Sequence, residues 1–325
     1  MYYNKRRDGK VSCLLCPNAC VLGENETGSC GARQSQRSKL LSLNYGQITS
    51  IAMDPIEKKP LYHFYPGSQI LSIGTFGCSF HCNFCQNHEI SQQRPHTHSL
   101  EPADIIRTAK DNASNGIAYT YNEPFIWYEF VKETSELAHR EGLKNVLVTN
   151  GYINPEPLME ILPLIDAANI DIKSISPAFY ERLCKAKLRP VLNTCVAMIK
   201  ANIHLEITNL IIPSENDTEE EWKDLSVWIH DNLGKSVPIH LSAYFPRYKH
   251  KASPTPPKTL KCAYRVFSEL LPYTYLGNIM SAEGSATICP DCQNKLIERS
   301  GYNIKITGLD GTKCNNCGRE IEVIV

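Results

Sequence analysis

Most of the fourteen cysteines in this 325-residue chain stand in three groups spaced as metal ligands are: Cys78, Cys82 and Cys85; Cys289, Cys292, Cys314 and Cys317; and Cys13, Cys16, Cys20 and Cys30. Clustered thiolates bind soft metals and iron–sulfur clusters, whereas cysteines used as small apolar fillers scatter. Cys184, Cys195 and Cys262 stand alone and read as such fillers. The C-x3-C-x2-C run at 78–85 offers three thiolates and no fourth. Closed zinc sites take four ligands. Three cysteines suit a [4Fe-4S] cluster that leaves one iron open to a small molecule. Zinc completed by His81 or His88 is the alternative. Gly77, just before the run, permits a tight wrapping backbone.

The terminal groups read differently. Cys289-x2-Cys292-x21-Cys314-x2-Cys317 pairs two CxxC knuckles and supplies a full tetrahedral set, so structural zinc is expected, with a rubredoxin-like iron or an auxiliary cluster as alternatives. Gly311 and Gly318 suit turns beside those knuckles. Cys13-x2-Cys16-Pro-Asn-Ala-Cys20-x9-Cys30 fits either zinc or a second [4Fe-4S] cluster. A cluster there would relay electrons or bind substrate; zinc would only cap the neighbouring domain.

These groups flank a region whose pattern must position the central one. Short β-branched apolar runs at 69–76, 116–122, 145–151, 167–173, 204–212, 238–245 and 273–279 alternate with amphipathic segments at 101–115, 123–142, 155–165, 219–234 and 259–271. Asp217-Thr218 precedes an acidic first turn, a helix-start signal. Strand–helix repetition implies parallel pairing with right-handed crossovers. The fold class expected is α/β, a partial (β/α)6-type barrel over residues 66–284, with a cysteine-rich segment at 1–65 and a zinc-ribbon-like unit at 285–325. Neither terminal unit is long enough to fold on an apolar core alone. Barrel sites form at the carboxyl ends of strands, and the C-x3-C-x2-C run directly follows the first one. The proline-rich loop Lys249–Lys258 reads as a solvated connection with the option of acting as a lid.

Composition narrows the function classes. Thirty-four basic and thirty-four acidic side chains cancel, so no long-range field gathers nucleic acid or anionic membrane. No apolar run approaches the ~18 residues of a membrane helix, and no secretory h-region follows the first residues. A cytoplasmic protein is expected, in a compartment that would not keep disulfides closed.

The run CSFHCNFC, with Phe84 at the aromatic position before the last cysteine, resembles the cluster loop of radical S-adenosylmethionine (SAM) enzymes. DPIEKKPLYHFYPGS (54–68), YTYNEP (119–124), TNGY (149–152), NIDIKS (169–174), ITNLII (207–212) and the terminal CPDC and CNNC are similar to pyruvate formate-lyase activating enzyme homologues, and most to the radical-SAM member of the AmmeMemoRadiSam system. The likeness implies a [4Fe-4S] cluster at Cys78, Cys82 and Cys85 that reductively cleaves SAM to a 5′-deoxyadenosyl radical. It also implies cofactor contacts residue by residue. Glu123 stands where relatives hold the methionyl ammonium after Gly-Gly, which here is Tyr121-Asn122; a helix-starting Glu-Pro pair is the plainer alternative. Lys173 matches a partner of the methionyl carboxylate, and Asp171 a contact to ribose, a cation or an ammonium, a structural ion pair being the alternative. Asn150 and Asn209 are further candidate contacts, and Phe84 would stack on adenine. The family writes histidine where this chain has Asn18. His204 reads as a structural histidine. No catalytic acid or base stands out.

The expected partners are a low-potential electron donor of flavodoxin or ferredoxin type and a substrate, protein or small molecule, that the sequence does not name. A glycyl-radical-enzyme activase acting on a partner protein is the alternative within this chemistry. A non-catalytic iron–sulfur or zinc electron-transfer or adaptor protein is the alternative outside it, and it has no use for Glu123 and Lys173.

Overall fold

The structure is a computed structural model that describes residues 2–279 and 281–325. Its centre is one eight-stranded sheet. Strand β1 (Ser50–Pro55) lies antiparallel to β2 (Gln69–Gly74) along its whole length. From β2 the sheet continues in parallel through β3 (Gly116–Tyr119), β4 (Lys144–Thr149), β5 (Ala167–Asp171), β6 (His204–Ile211), β7 (Ile239–Ala243) and β8 (Thr274–Gly277). Strands β1 and β8 are the two edges of this order, so the barrel is partial, as expected. The sheet begins before the expected boundary at residue 66, because β1 comes from the segment assigned to the N-terminal unit.

The crossover helices fall where the periodicity put them, with one addition. Pro102–Asp111, Tyr128–Arg140, Pro155–Ile161, Glu219–Leu233 and Pro257–Ser268 were legible. The helix Leu188–Lys200 was not singled out, although Val191, Cys195 and Met198 recur at helical spacing and are all buried. The Thr218 hydroxyl accepts the Glu221 N–H at 3.3 Å, which caps the helix that Asp217-Thr218 announced.

Alternation along each strand divides the core. Leu71, Ile73, Leu147 and Leu241 pack in the main apolar core shared with the helices, while Ile70, Ala118, Val146 and Ala167 face the other way. Against that second set sit Ile56, Leu61 and Phe64 from the DPIEKKPLYHF segment, which close the end of the barrel where the strands begin. Glu206 anchors this closure. Fully buried, it accepts the backbone N–H groups of Tyr62 at 2.9 Å and His63 at 2.7 Å, and its oxygens also meet His204 Nε2 at 2.9 Å and His240 Nε2 at 2.6 Å. His204 is thus the structural histidine the sequence suggested.

The C-terminal unit docks on that same closed end. Ile324 donates its N–H to His63 O at 2.8 Å, Tyr65 donates to Ile324 O at 2.7 Å, and Arg299 reaches Tyr62 O at 2.7 Å. Its own core is small: Cys289, Leu296, Ile297, Cys314, Ile321 and Val323 with Tyr273 and Tyr275. The N-terminal unit sits at the opposite, open end. Asn154 donates its side-chain amide to Leu14 O at 2.7 Å, and Asn18 donates its own to Ser79 O at 2.9 Å. Among the described residues, no helix is long and apolar enough to cross a membrane.

Candidate functional site

The loop after β2 is shaped by close approach to the N-terminal unit. Gly77 adopts φ +90°, and a Cβ there would lie 2.4 Å from Cys30 O, so no side chain fits. The next N–H, that of Cys78, donates to the same carbonyl at 3.2 Å. His81 and Asn83 donate their N–H groups to Cys184 O at 2.9 Å and Leu183 O at 3.1 Å, which pins the other side of the loop. The result is a rigid bow carrying three thiols. Cys184, read from sequence as a core filler, is fully buried and its thiol packs against Cys82.

Cys78, Cys82 and Cys85 line one cavity of about 480 Å³, together with Phe84, Glu123, Asn150, Asp171 and Lys173. That volume suits a small-molecule cofactor. The loop and the ends of β3, β4 and β5 therefore bring eight of the nine barrel residues singled out for cofactor and cluster contact, Cys78, Cys82, Phe84, Cys85, Glu123, Asn150, Asp171 and Lys173, to one cavity. Asn209 is the exception. Its neighbours Thr208 and Leu210 face the cavity, while the Asn209 amide donates to Ile172 O at 2.8 Å and steadies the backbone behind Lys173. Adjacent strand residues point to opposite faces, and here the face of Thr208 and Leu210 is the cavity's.

Glu123 ends a strand and starts a helical turn, so both sequence readings describe it. It is 1 % exposed, and Oε1 accepts Thr149 Oγ1 at 2.7 Å and the Phe125 N–H at 2.9 Å, while Oε2 accepts the Asn150 N–H at 2.8 Å. A carboxylate offers about four acceptor sites. One position on Oε2 is left for a further donor. Burial, opposed by these three donors, raises its pKa to about 7. The glycines missing before it are replaced in kind: Tyr121 takes the left-handed φ of +71°, and the Asn122 amide ties the turn by donating to Gly77 O at 2.8 Å and accepting the Thr75 N–H at 3.2 Å. A non-glycine residue in that region stores on the order of 1 kcal/mol of strain.

Lys173 Nζ pairs with Asp171 at 2.7 Å. Burial works against its charge, but Asp171 and the Cys82 thiol outweigh that and hold the ammonium protonated. Asn150 donates to Ser79 Oγ at 3.1 Å and towards Cys78 Sγ at 3.6 Å; the Phe80 N–H lies 3.4 Å from the same sulfur, and Ser91 Oγ is 3.1 Å from Cys85 Sγ. Hydrogen bonds to cysteine sulfur tune cluster potentials. Ser79, Thr149 and Ser91 were missed in the sequence because hydroxyl residues carry no ligand-spacing signal. The loop at 249–258 is not free: the N–H groups of Lys249 and His250 both donate to Asn83 O at 2.9 Å, and Tyr248 stacks on His88.

The C-terminal cysteines form a separate centre. Their four sulfurs lie within 4.8 Å of one another, with Cys289–Cys317 and Cys292–Cys314 each at 3.6 Å. Four ligands at the ~2.3 Å of a zinc–sulfur bond stand about 3.8 Å apart. The set fits one tetrahedral ion. Among the described residues it is the group of potential ligands gathered this tightly.

The parallel sheet, the three-cysteine loop at its open end and the polar wall around it define a radical SAM protein, and this chain belongs to the radical SAM superfamily. The family model described as Radical SAM superfamily matches residues 72–226. The chain is 43 % identical over its whole length to Uncharacterized protein MJ0808 of Methanocaldococcus jannaschii, covering 99 % of that protein. It is 23 % identical to the pyruvate formate-lyase 1-activating enzyme of Escherichia coli over 54 % of this chain and 74 % of that enzyme. The fold is shared with SuiB of Streptococcus suis bound to S-adenosylmethionine, at TM-score 0.52 and 12 % identity over 64 % of this chain and 51 % of that one. Family membership implies a [4Fe-4S] cluster and SAM.

Proposed function

We propose that this chain cleaves SAM reductively at a [4Fe-4S] cluster held by Cys78, Cys82 and Cys85 and directs the resulting radical at a hydrogen atom of its substrate. One observation carries the reading: the three thiols share a single cavity with the Glu123 carboxylate and the Asp171–Lys173 pair. A carrier or adaptor has no need of that wall. When bound, the cluster and SAM supply a single-electron break of a sulfur–carbon bond, yielding methionine and a 5′-deoxyadenosyl radical.

The chain's own residues bind and orient. The open acceptor site on Glu123 takes the methionyl ammonium, and Lys173 takes the methionyl carboxylate, both as charge-assisted bonds. Asp171 holds Lys173 in place and faces the ribose. Phe84 offers a face for adenine, and Asn150 fixes the loop by bonding Ser79. Phe80, Phe84, Val148 and Leu210 supply the apolar part of an otherwise polar lining and limit water beside the cofactor.

A low-potential one-electron donor of flavodoxin or ferredoxin type supplies the reducing equivalent. The substrate is a small molecule or a partner protein, and likeness to an activating enzyme supports the second as a glycyl-radical activase reading. The three units divide the work. The barrel does the chemistry, the C-terminal unit holds structural zinc on the closed end, and the N-terminal Cys13, Cys16, Cys20 and Cys30 hold zinc or a second [4Fe-4S] cluster against the loop.

The test of this reading is SAM binding to the anaerobically reconstituted, reduced protein, followed through the cluster's electron paramagnetic resonance signal. SAM should shift the signal, and an unchanged signal at saturating SAM contradicts an open iron. Affinity should also depend on pH. Glu123 is neutral below about pH 7 and must be charged to bind an ammonium, so affinity should rise through that range and level off above it. Glu123→Gln should weaken SAM binding by about tenfold or more and flatten the profile; a wild-type profile flat from pH 6 to 8, about one unit either side of that pKa, would separate Glu123 from the cofactor.

Metal content sorts the terminal groups. A zinc chelator that strips the C-terminal site should lower the thermal midpoint and loosen the unit's small core without removing the central iron. Iron near eight atoms per chain, about four per cubane, supports a cluster at the N-terminal group; near four, with two zinc ions, supports zinc.

A further inference from the structure

The DPIEKKPLYHFYPGS motif closes the barrel, yet two of its residues also reach the cavity. Lys58 and Lys59 line the same space as the three cysteines, together with Tyr121 from the end of β3 and Asn278 and Ser242 from the far edge. Lys58 Nζ lies 2.7 Å from Asp54 Oδ1, Lys59 Nζ lies 2.7 Å from Asp54 Oδ2, and the Tyr121 hydroxyl donates to Oδ2 at 2.6 Å. One carboxylate thus receives two ammonium groups and a phenol. Lys59 is 2 % exposed and also sits 4.6 Å over the Tyr121 ring, whereas the Lys58 side chain is 47 % exposed.

A strut for the barrel closure needs one cation for one carboxylate. The second leaves this wall with one positive charge more than Asp54 balances, and the half-exposed Lys58 ammonium lines the cavity where an arriving anion can meet it. The opposite wall does not supply it: Asp171 is paired with Lys173, and three donors already bind Glu123. Asp54 is the acceptor both lysines meet among the described residues, so each ammonium keeps donors free.

We propose that Lys58, with Lys59 and Tyr121 held behind it by Asp54, is the anchor for a carboxylate of the substrate. The single excess charge matches a monoanion better than a dianionic phosphate. Built from the segment after β1 and backed by Tyr121 beyond the end of β3, the anchor leaves the thiol loop and the Glu123–Lys173 side to the cofactor and directs the rest of the substrate into the same chamber. This assignment rests on the cofactor reading above, and it gives a role to two adjacent lysines that line the cavity, whereas the closure itself is held by Glu206 and the apolar residues around it.

The experiment is calorimetric titration of the reconstituted, SAM-saturated protein at low ionic strength with acetate, pyruvate and inorganic phosphate as probes. Saturating SAM keeps Lys173 occupied. The carboxylates should bind at about 10 mM or tighter, and Lys58→Met should weaken them by about tenfold while Lys58→Arg keeps most of the affinity. SAM affinity should stay within about twofold in Lys58→Met. Lys58 is half exposed, so its variants should fold where changes at buried Lys59 or Asp54 would not. Three results overturn the assignment: no carboxylate binding to the wild type, equal binding to Lys58→Met, or a matching loss of SAM affinity, which would give the lysine to the cofactor. Phosphate binding about tenfold tighter than either carboxylate overturns the monoanion class. Wild-type SAM binding without any probe reports separately on the cofactor reading.

Discussion

Alanine at Cys78, Cys82 or Cys85 is expected to remove the iron of the central site and abolish SAM cleavage while leaving the C-terminal metal in place. Loss of a mere outer-shell partner costs about 10–100-fold in metal affinity. Removing one of three direct ligands costs more, because the two remaining thiols cannot hold a cubane against solvent. The protein itself should survive, since the loop is anchored independently through Cys30 O, Leu183 O and Cys184 O. Iron and zinc analysis of the purified variants reads both halves of the expectation. If Cys82→Ala keeps its full iron, or loses iron and C-terminal zinc together, the ligand assignment is wrong. Cys184 offers a useful contrast, because it packs behind Cys82 within the apolar core; Cys184→Ala should retain the iron.

The second large effect lies far from the chemistry. Glu206→Ala leaves two backbone N–H groups and two histidines of the barrel closure without their acceptor. Breaking a buried charged network of this kind costs about 3–5 kcal/mol. Because the C-terminal unit is tied to the same segment at His63 and Tyr65, its docking should weaken too. Urea denaturation should show a lower midpoint, and an unchanged midpoint would show that the closure holds without Glu206. The pH dependence has a definite sign. Although burial raises it, the two histidines hold the Glu206 carboxyl well below the usual carboxylate range, so its contribution is present above the unfolded value and is lost as pH falls through the lower, folded one.

What the sequence made legible follows from what leaves a trace in spacing. Ligand cysteines recur at fixed intervals, and the parallel strands from β2 to β8 are continuous β-branched runs because both their faces are covered. Strand β1 was hidden because Ser50–Pro55 is an edge strand of mixed burial that ends in proline. Asn209 was placed at the site because it ends a strand; which face it takes depends on register, and register comes from pairing across the sheet. Tyr121-Asn122 gave no hint of the backbone that glycines adopt elsewhere. Only the contacts of the Asn122 amide and the left-handed φ of Tyr121 reveal it. The Asp54, Lys58 and Lys59 cluster was visible as letters of a motif, but its entry into the cavity depends on how the closing segment folds back beneath β3.

The N-terminal unit illustrates a different limit. Its four cysteines stand at ligand spacing in the sequence, but among the described residues the group whose ligand atoms lie together is the C-terminal one; the structure adds that the unit touches the C-x3-C-x2-C loop directly through Cys30 and Asn18. That contact with the loop is something spacing alone does not encode.

The most direct test of the account is to reconstitute the protein anaerobically, reduce it with dithionite, add SAM and quantify 5′-deoxyadenosine and methionine. The two products should form together, and only when Cys78, Cys82 and Cys85 are all present. Intact SAM after prolonged incubation, with a spectrum of a fully ligated cluster, would contradict the claim that this cavity is a radical SAM active site.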